Sequence, residues 1–208
     1  MDDLIKVMIV DDHESMRNAF EYEFRPENGY EVVSSIASAT DAAQECLQKQ
    51  IDLVIMDVCT ENNASGLEAT AKIIQQSPEI KVIVTSGFDE ITYAPRAKEL
   101  GAHAFVFKSK SCSYFRDVAG RVLAGGRSFP EQQIIPLPQG EAPFTDREME
   151  ILRLKCKYAK TSDIASELFI SRNTVNRHVQ NMLAKSGFSS MMELVVYVVS
   201  NGWINPNY

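Results

Sequence analysis

The sequence predicts an α/β protein in which a doubly wound, five-stranded parallel sheet is followed by a small all-α domain of four helices. One observation is that short apolar runs alternate five times with amphipathic stretches before residue 126. Another is the segment from Gly125 to Pro143, whose glycines and prolines are typical of a linker. A third is the series of four short helical patterns that follows this segment.

The strands and helices of the first part alternate along the chain. The apolar runs that predict strands are Ile5–Val10, Val32–Ile36, Leu53–Met56, Val82–Thr85 and Ala104–Phe107. The helical stretches that follow them are Glu14–Phe24, Thr40–Lys49, Leu67–Gln76, Asp89–Leu100 and Ser113–Ala124. Because parallel neighbours need right-handed crossover connections, this series predicts a parallel sheet with helices on both faces. Pro95 predicts a kink or a late start in the fourth helix, since proline clashes with the preceding turn.

The four C-terminal helices are predicted from their caps and apolar faces. Glu148 stands three residues after Thr145, which is the spacing of a capping box, and Ile151, Leu152 and Leu154 give this helix an apolar face. The residues expected to cap the four helices, in chain order, are Thr145, Thr161 or Ser162, Ser171, and Ser189 or Ser190. These patterns predict a small helical module.

Length and charge both indicate two domains. The 208 residues exceed one typical domain of about 100–150 residues. We predict a first domain at residues 1–126, a linker at 127–143 and a second domain at 144–208. Residues before Phe144 carry 13 Lys and Arg against 22 Asp and Glu, a net charge of −9, whereas those from Phe144 onward carry 8 against 6, a net charge of +2. Only the C-terminal part is therefore electrostatically suited to a polyanion such as DNA.

Apolar runs and cysteine spacing indicate the cellular compartment. No run approaches the roughly 20 apolar residues needed to cross a bilayer, and the acidic N-terminus lacks the basic start of a secretory signal. The four cysteines form neither a close pair nor a zinc pattern with the three histidines. We expect a cytoplasmic protein with reduced cysteines and no membrane partner.

Carboxylates stand at the ends of two predicted strands. Asp11 and Asp12 follow the first strand, and Asp57 follows the third. In such sheets, ligands bind beyond the carboxyl ends of the strands, where the strand order reverses. Three carboxylates that converge there suit Mg²⁺, which prefers oxygen ligands, and a carboxylate is a competent acceptor for a phosphoryl group. The pattern predicts phosphoryl transfer to Asp57.

Several motifs resemble, in order, the receiver domain of two-component response regulators. They are Ile9-Val10-Asp11-Asp12-His13, Val54-Ile55-Met56-Asp57, Gly66-Leu67-Glu68, Thr85-Ser86-Gly87, and Gly101-Ala102 through Lys108. The resemblance implies a flavodoxin-like fold and a phosphoacceptor role for Asp57. It also implies that Mg²⁺ is held by Asp11, Asp12, Asp57 and the backbone carbonyl of Cys59. The segment from Val58 to Ser65 departs from the family, because it lacks the usual Met-Pro and is longer by about one residue.

The resemblance further implies residues that contact the phosphoryl group. Lys108 would pair with its oxygens as a point charge, and the hydroxyl of Ser86 would donate to another oxygen. Thr85 is the alternative to Ser86, but the spacing to Lys108 favours Ser86. Phe105 matches the position of the family's switch aromatic, with an ordinary core role as the alternative.

The C-terminal part resembles the LuxR-type helix-turn-helix of the NarL/FixJ subfamily of response regulators. The matching motifs are Phe144-Thr145-Asp146-Arg147-Glu148, Ile151-Leu152, Asp163-Ile164-Ala165-Ser166-Glu167-Leu168, and Ser171-Arg172-Asn173-Thr174-Val175-Asn176-Arg177-His178-Val179. The resemblance implies a helix that begins near Arg172 and reads DNA.

Polar side chains on that helix are candidates for DNA contact. Val175, Val179 and Met182 share one face and are expected in the core, so the polar side chains project elsewhere. The candidates for base edges in the major groove are Asn173, Asn176, Arg177 and Gln180. The candidates for phosphate contacts are Lys160, Arg172, His178 and Lys185. An ordinary solvated helix face is the alternative. Because this face is only weakly basic, we expect a homodimer on two half-sites.

Three functions are compared. The favoured one is a response regulator and transcription factor that a sensor histidine kinase phosphorylates on Asp57, which controls dimerisation and binding to double-stranded DNA; RNA polymerase is left open as a further partner. The alternative is an atypical regulator that binds DNA without phosphorylation and uses its receiver domain for protein interaction. An enzyme is not expected beyond self-phosphorylation and dephosphorylation, because phosphatases with a nucleophilic Asp need a second Asp where Cys59 stands.

Overall fold

A computed structural model of the chain shows a five-stranded parallel sheet with the strand order β2-β1-β3-β4-β5. The structure describes residues 4–88, 90–131, 135, 137, 143–157 and 160–206. The strands are β1 (Ile5–Val10), β2 (Tyr30–Ile36), β3 (Leu53–Asp57), β4 (Lys81–Ser86) and β5 (Ala104–Phe107). All neighbouring strands pair in parallel, so the predicted parallel sheet is confirmed. The strand order reverses between β1 and β3, and ligands bind beyond the carboxyl ends of strands at such a point.

Helices cover both faces of the sheet, as predicted. They are α1 (Glu14–Glu23), α2 (Ala42–Lys49), α3 (Gly66–Gln76), α4 (Tyr93–Glu99) and α5 (Cys112–Leu123). Helix α1 packs against α5, whereas α3 packs between α2 and α4. Helix α4 begins at Tyr93, which puts Pro95 in its first turn, where a missing N–H leaves no broken helical bond. The late start predicted for this helix is confirmed.

The core of the sheet follows from its uninterrupted apolar strands. All residues of β3 are buried, because helices cover it on both sides. On the face that α1 and α5 share, Phe20 and Phe115 meet edge to face with ring centroids 4.8 Å apart. Burying an aromatic side chain of this size stabilises a fold by about 2–3 kcal/mol, so these rings hold the two helices on the sheet.

The C-terminal part consists of four helices around a second core. They are α6 (Asp146–Lys157), α7 (Thr161–Glu167), α8 (Arg172–Ser186) and α9 (Met191–Ser200). The predicted helical module is confirmed. Its fully buried side chains include Ile151, Ile164, Val175, Met182 and Leu194, which come from all four helices.

Three of the four predicted caps are confirmed. Thr145 and Glu148 form the capping box: the Thr145 N–H donates to Glu148 Oε2 over 2.8 Å, and the Glu148 N–H donates to Thr145 Oγ1 over 3.3 Å. The side chains of Ser171 and Ser190 cap α8 and α9. The prediction that Thr161 or Ser162 caps α7 is wrong.

Helix α7 begins one residue earlier than its predicted cap allows. Thr161 is already its first residue, and Lys160 precedes it without a side-chain cap. The Thr161 hydroxyl instead accepts a hydrogen bond from Lys155 Nζ over 2.9 Å. This bond to α6 uses the oxygen that would otherwise cap the helix.

The chain divides into two compact units. The first comprises Met1–Gly87 and Tyr93–Glu131, and the second comprises Phe88–Thr92 and Gln132–Tyr208. The domain boundaries at residues 126 and 144 stay predictions, and much of the predicted linker at 127–143, namely residues 132–134, 136 and 138–142, lies outside the described residues. Among the described residues, no single helix has the length and apolar character to span a membrane; α8 and α9, bent by 66° at their junction, have them only as a pair.

Gly66 brings α3 against the end of β3. A Cβ atom at this position would lie 1.8 Å from the carbonyl oxygen of Asp57. The Gly66 N–H also donates to the Val58 carbonyl over 2.9 Å, so the backbone cannot move away without losing this bond. Only glycine fits this approach.

We predict that Gly66→Ala lowers the free energy of unfolding by at least about 2 kcal/mol, because the new methyl group has to displace the backbone that presents Asp57. Urea denaturation would measure the loss. Gly120→Ala is the matched control: it lies inside α5 in open space and should be neutral or stabilising by up to about 1 kcal/mol. Equal effects of the two substitutions would contradict the prediction.

Candidate functional site

The carboxyl ends of β1 and β3 bring two of the predicted acids together. Val10 lies opposite Met56 in the parallel pairing, so the next residues, Asp11 and Asp57, are neighbours at the sheet edge. Both are buried, with 1% and 3% of their surface exposed. Asp12, one residue further, is partly exposed. The sheet order therefore gathers the three carboxylates that the sequence predicts at one site.

Lys108 lies between the two buried carboxylates. Its Nζ atom is 2.8 Å from Oδ2 of Asp57 and 2.8 Å from Oδ2 of Asp11. The lysine follows β5 directly, and its N–H donates to the Ser86 carbonyl at the end of β4 over 2.8 Å. Strands β4 and β5 thus hold the ammonium group of Lys108 beside Asp57.

Burial and charge set the protonation of this cluster. Burial raises the pKa of Asp57 to about 6; the cation of Lys108 opposes this rise, and the neighbouring charges of Asp11 and Asp12 add to it. Burial alone would lower the pKa of Lys108, but the contacts with Asp57 and Asp11 outweigh burial, and its pKa is raised. One ammonium group faces three carboxylates, so the site carries excess negative charge.

The excess charge suits a divalent cation. Asp11, Asp12, His13 and Asp57 each offer a ligand atom, and these atoms lie within 4.8 Å of one another. Hard divalent cations prefer carboxylate oxygens, and the three carboxylates present here fit that requirement. The acidic cluster is typical of divalent metal binding.

His13 belongs to this cluster, although the sequence assigned it no chemistry. Its Nδ1 lies 2.6 Å from Oδ1 of Asp12, and its backbone N–H donates to Oδ1 of Asp11 over 2.9 Å. The side chain is 66% exposed. Its position in the sequence, directly after Asp11 and Asp12, could have indicated that His13 lies in this cluster.

The segment after Asp57 forms an ordered loop despite its unusual length. Thr60 is buried; its Oγ1 accepts from the Ala39 N–H over 3.0 Å and donates to the Ala64 carbonyl over 2.7 Å. Asn62 lies in this loop in a left-handed conformation with φ 60°. Cys59 is buried at the start of this loop and pairs with Ser65 in an isolated bridge. The role of the Cys59 carbonyl as a metal ligand stays a prediction.

The structure puts Ser86 at the end of β4 and Phe105 within the neighbouring strand β5, opposite Val84. Ser86 is the last residue of β4 and is 1% exposed, and it lies opposite Phe107 of β5. Phe105 is 3% exposed, and its ring meets that of Phe107 edge to face at 5.2 Å. The roles of Ser86 toward a phosphoryl group and of Phe105 as a switch stay predictions.

Helix α8 presents the predicted polar face. Val175 and Met182 are fully buried and Val179 packs against the same core, as expected. The predicted DNA-contacting side chains on the exposed surface are Lys160, Arg172, Asn173, Asn176, Arg177 and Gln180. His178 is partly buried, with a buried Nδ1 atom. Their roles toward DNA stay predictions.

Lys185 holds α8 against α6. Its Nζ lies 2.6 Å from Oε2 of Glu148, which is 3% exposed, and 3.4 Å from the Pro143 carbonyl. Burial tends to raise the pKa of Glu148, but hydrogen bonds from Lys185 and Thr145 outweigh it and hold this pKa below its ordinary value. A phosphate contact by Lys185, which also stays a prediction, would have to share the ammonium group with this carboxylate.

Two protein families match the chain. The family of response regulator receiver domains matches residues 7–117, and the luxR family of bacterial regulatory proteins matches residues 142–198. The response regulator protein VraR of Staphylococcus epidermidis is 30% identical over 207 residues, which cover 96% of this chain and 99% of VraR. VraR of Staphylococcus aureus is also 30% identical with the same coverage.

Solved structures share the fold. A LuxR-family two-component response regulator from Aurantimonas sp. SI85-9A1 is 28% identical with a TM-score of 0.56, and the match covers 60% of this chain and 89% of that one. A structure of two RcsB dimers bound to two parallel DNAs gives a TM-score of 0.64 at 18% identity, over 95% of this chain and 98% of that one. The second likeness concerns the fold alone.

The raised pKa of Asp57 predicts a pH-dependent stability difference between the wild type and Asp57→Asn without metal. Since the folded pKa of about 6 exceeds the ordinary value of 3.8, the protonated acid stabilises the fold below about pH 4, and this contribution is lost as pH rises toward 6. Relative to the variant, the wild type should lose up to about 3 kcal/mol over this range. Chemical denaturation at a series of pH values would measure the difference.

Divalent cations should reverse that loss at about pH 7.5, because metal that binds only the folded state stabilises it. Mg²⁺ should raise the melting temperature of the wild type more than that of Asp57→Asn. Glu79→Gln, which removes one charge from an exposed position, is the control and should behave as the wild type. A constant difference between wild type and Asp57→Asn across pH and Mg²⁺ would contradict both expectations.

Proposed function

Because the chain belongs to the response regulators that join a receiver domain to a LuxR-type DNA-binding domain, we propose that a sensor histidine kinase phosphorylates Asp57 and thereby controls dimerisation and sequence-specific DNA binding. The observation that carries this proposal is the buried Asp57 carboxylate beside a second acid, with Lys108 bridging the two at 2.8 Å. This arrangement supports the proposal, because a carboxylate can act as a nucleophile toward phosphorus and an ammonium group can pair with phosphoryl oxygens.

In the transfer step, an Asp57 carboxylate oxygen attacks phosphorus and forms an O–P bond, while the bond from phosphorus to the donor nitrogen or oxygen breaks and its electron pair stays with the donor. Lys108 leaves Oδ2 of Asp57 and pairs with a phosphoryl oxygen, and the Ser86 hydroxyl donates to another. Mg²⁺ held by Asp11, Asp12, Asp57 and the Cys59 carbonyl would supply positive charge that offsets the charge of the phosphoryl oxygens. We propose no substrate other than the receiver itself.

The response is a population shift between two pre-existing states. Lys108 and Ser86 sit at the ends of β5 and β4, so their contacts with a new dianion bias the strand that carries Phe105. We propose Phe105 as the switch residue because it is buried on this strand beside Phe107. The kinase and the DNA targets are both reached in the cytoplasm, where we propose that the protein acts.

Helix α8 is proposed to read DNA in the major groove. Four exposed side chains suit base edges: Asn173, Asn176, Arg177 and Gln180. Four others suit phosphates: Lys160, Arg172, His178 and Lys185. With so few cations, one subunit binds weakly, and a dimer on two half-sites supplies the affinity.

The ordered loop after Asp57 favours one rival function. Its length and its lack of the usual Met-Pro set it apart from the family pattern, which would suit a regulator that acts without phosphorylation. Mg²⁺ binding separates the two functions, because the phosphorylated regulator needs the metal and the rival does not.

We predict that acetyl phosphate and Mg²⁺ transfer phosphate to the wild type but not to Asp57→Ala, since the acceptor oxygen is gone. Gel separation of the phosphorylated form and DNA affinity for a genomic fragment selected by the wild type would measure both effects. Asp41→Ala removes an exposed acid outside the pocket and should leave both unchanged. Equal incorporation and equal DNA affinity in wild type and Asp57→Ala would rule the mechanism out.

Substitutions of a base-contacting residue and of a phosphate-contacting residue should change DNA affinity in different ways. The two effects should differ in their dependence on salt concentration and on DNA sequence. Arg177→Ala should cost about 1–3 kcal/mol and relax the preference at one base pair, because it removes base readout. Lys160→Ala should weaken binding to all sequences and reduce the slope of log affinity against log salt by about 1. Lys72→Ala, an exposed lysine of α3, is the control. Fluorescence anisotropy at several salt concentrations would show whether the two variants behave alike, which would contradict these roles.

A further inference from the structure

The loop between β3 and α3 is fastened to the loop between β2 and α2. Thr60, which is 2% exposed, accepts a hydrogen bond at Oγ1 from the Ala39 N–H over 3.0 Å. The next residue, Glu61, donates its N–H to the Ala37 carbonyl over 3.1 Å. Two consecutive residues of the loop that follows Asp57 are therefore bonded to the neighbouring loop.

Hydrogen bonds on both sides of Cys59 fix its peptide units. The Gly66 N–H donates to the Val58 carbonyl over 2.9 Å, and the Thr60 N–H donates to the Ala64 carbonyl over 3.3 Å. In a planar trans peptide unit, a carbonyl points in the opposite direction to the N–H of the following residue. Because the Thr60 N–H is directed at Ala64, the Cys59 carbonyl is directed to the other side, away from Ala64.

The hydroxyl of Thr60 holds this arrangement at a further point. It donates to the same Ala64 carbonyl over 2.7 Å while it accepts from the Ala39 N–H. Ala39 is itself 4% exposed, so its N–H would have little access to water if this acceptor were removed. The hydroxyl therefore satisfies a buried donor and closes its own loop at the same time.

The sequence explains why a hydroxyl is needed in this loop. The receiver family has a Met-Pro in this segment, and proline fixes the backbone angle φ without any bond from a side chain. Residues 58–65 of this chain contain no proline. Hydrogen bonds have to restrain the backbone instead, and Thr60 takes part in three of them.

We propose that Thr60 is a positioning residue for the metal site: its hydroxyl and N–H set the direction of the Cys59 carbonyl in place of the missing proline. The inference rests on the function proposed above, in which this carbonyl is a metal ligand. Thr60 supplies no ligand itself, so it should affect the affinity for the divalent cation and not the chemistry at Asp57. Groups that orient a metal ligand typically contribute a factor of about 10–100 to metal affinity.

The first test is a titration of the full-length protein with MgCl₂ at about pH 7.5, where Asp57 is ionised, followed by amide NMR signals. Thr60→Val removes the hydroxyl but keeps the branched shape, and it should raise the dissociation constant for Mg²⁺ at least about ten-fold. Thr60→Ser keeps the hydroxyl and should match the wild type.

Thr70→Val is the matched control for this titration. Thr70 of α3 is also buried, but its Oγ1 has no hydrogen-bond partner in the described part of the chain. The same change of hydroxyl to methyl should therefore leave the dissociation constant for Mg²⁺ as it is in the wild type.

A kinetic measurement separates positioning from a general structural loss. With acetyl phosphate as donor, Thr60→Val should need at least about ten-fold more Mg²⁺ than the wild type to reach half of its maximal phosphorylation rate. Saturating Mg²⁺ should restore the rate of the wild type, because Asp57 and Lys108 are unchanged. A lower rate that saturating Mg²⁺ does not restore would overturn the proposal.

A third measurement uses the wild type alone and does not depend on the folding of a variant. If the bonds of Thr60 favour metal binding, metal binding must favour those bonds, because coupling between two equilibria is reciprocal. Hydrogen exchange at the amides of Thr60 and Ala39 should therefore slow at least about five-fold when Mg²⁺ is added. Gly29, whose N–H donates to the Pro26 carbonyl in the turn before β2, is the control and should not change.

The outcomes separate the role of Thr60 from the proposed function. If the wild type binds Mg²⁺ and is phosphorylated, but Thr60→Val has the same dissociation constant or exchange at Thr60 is constant, the positioning role is overturned and the proposed function stands. Equal weakening by Thr60→Val and Thr70→Val overturns the role as well. If Mg²⁺ and acetyl phosphate have no effect on the wild type, the proposed function fails and the role of Thr60 fails with it.

Discussion

The contact of one lysine with two buried carboxylates is the interaction on which the rest of this molecule depends. Asp11 and Asp57 are almost completely removed from water, and two uncompensated charges in that environment would be unstable. Lys108 compensates part of the charge at 2.8 Å from each acid and leaves the cluster negative overall. The fold therefore holds a site that can be stabilised further by added positive charge, and phosphoryl transfer requires such a site.

The residues of this charged cluster come from distant parts of the chain, yet the sequence predicted most of them. Continuous apolar runs predict the strands because both faces of the sheet are covered, and parallel strands align their carboxyl ends whatever the loops do. The meeting of Asp11 and Asp57 follows directly from that rule, whereas the place of Lys108 beside them was implied by the resemblance to receiver domains. The capping box of Thr145 and Glu148 was predictable for a similar reason, since it is a local exchange of two hydrogen bonds at fixed spacing.

What the sequence did not predict depends on contacts between residues far apart in the chain. The start of α7 was misplaced because Lys155 of α6 occupies the hydroxyl of Thr161. Glu90 gave no signal, since a single acidic residue between a strand and a helix is typical of a solvated loop; its burial arises from Arg153 and Asn205. The second role of Glu148, as the partner of Lys185, likewise depends on α8 packing across α6.

The pairing of Lys185 with Glu148 leaves Arg172 and Arg177 as the exposed cations of α8. Attachment to arbitrary DNA grows with the number of phosphates that a protein neutralises, so a subunit that binds DNA through α8 as proposed would bind the bulk chromosome only weakly. Few copies would be sequestered at irrelevant positions, and the pool that can redistribute after a signal stays large. In the proposed function, the small number of exposed cations on α8 leaves the residence time on DNA to be set by the second subunit of a dimer.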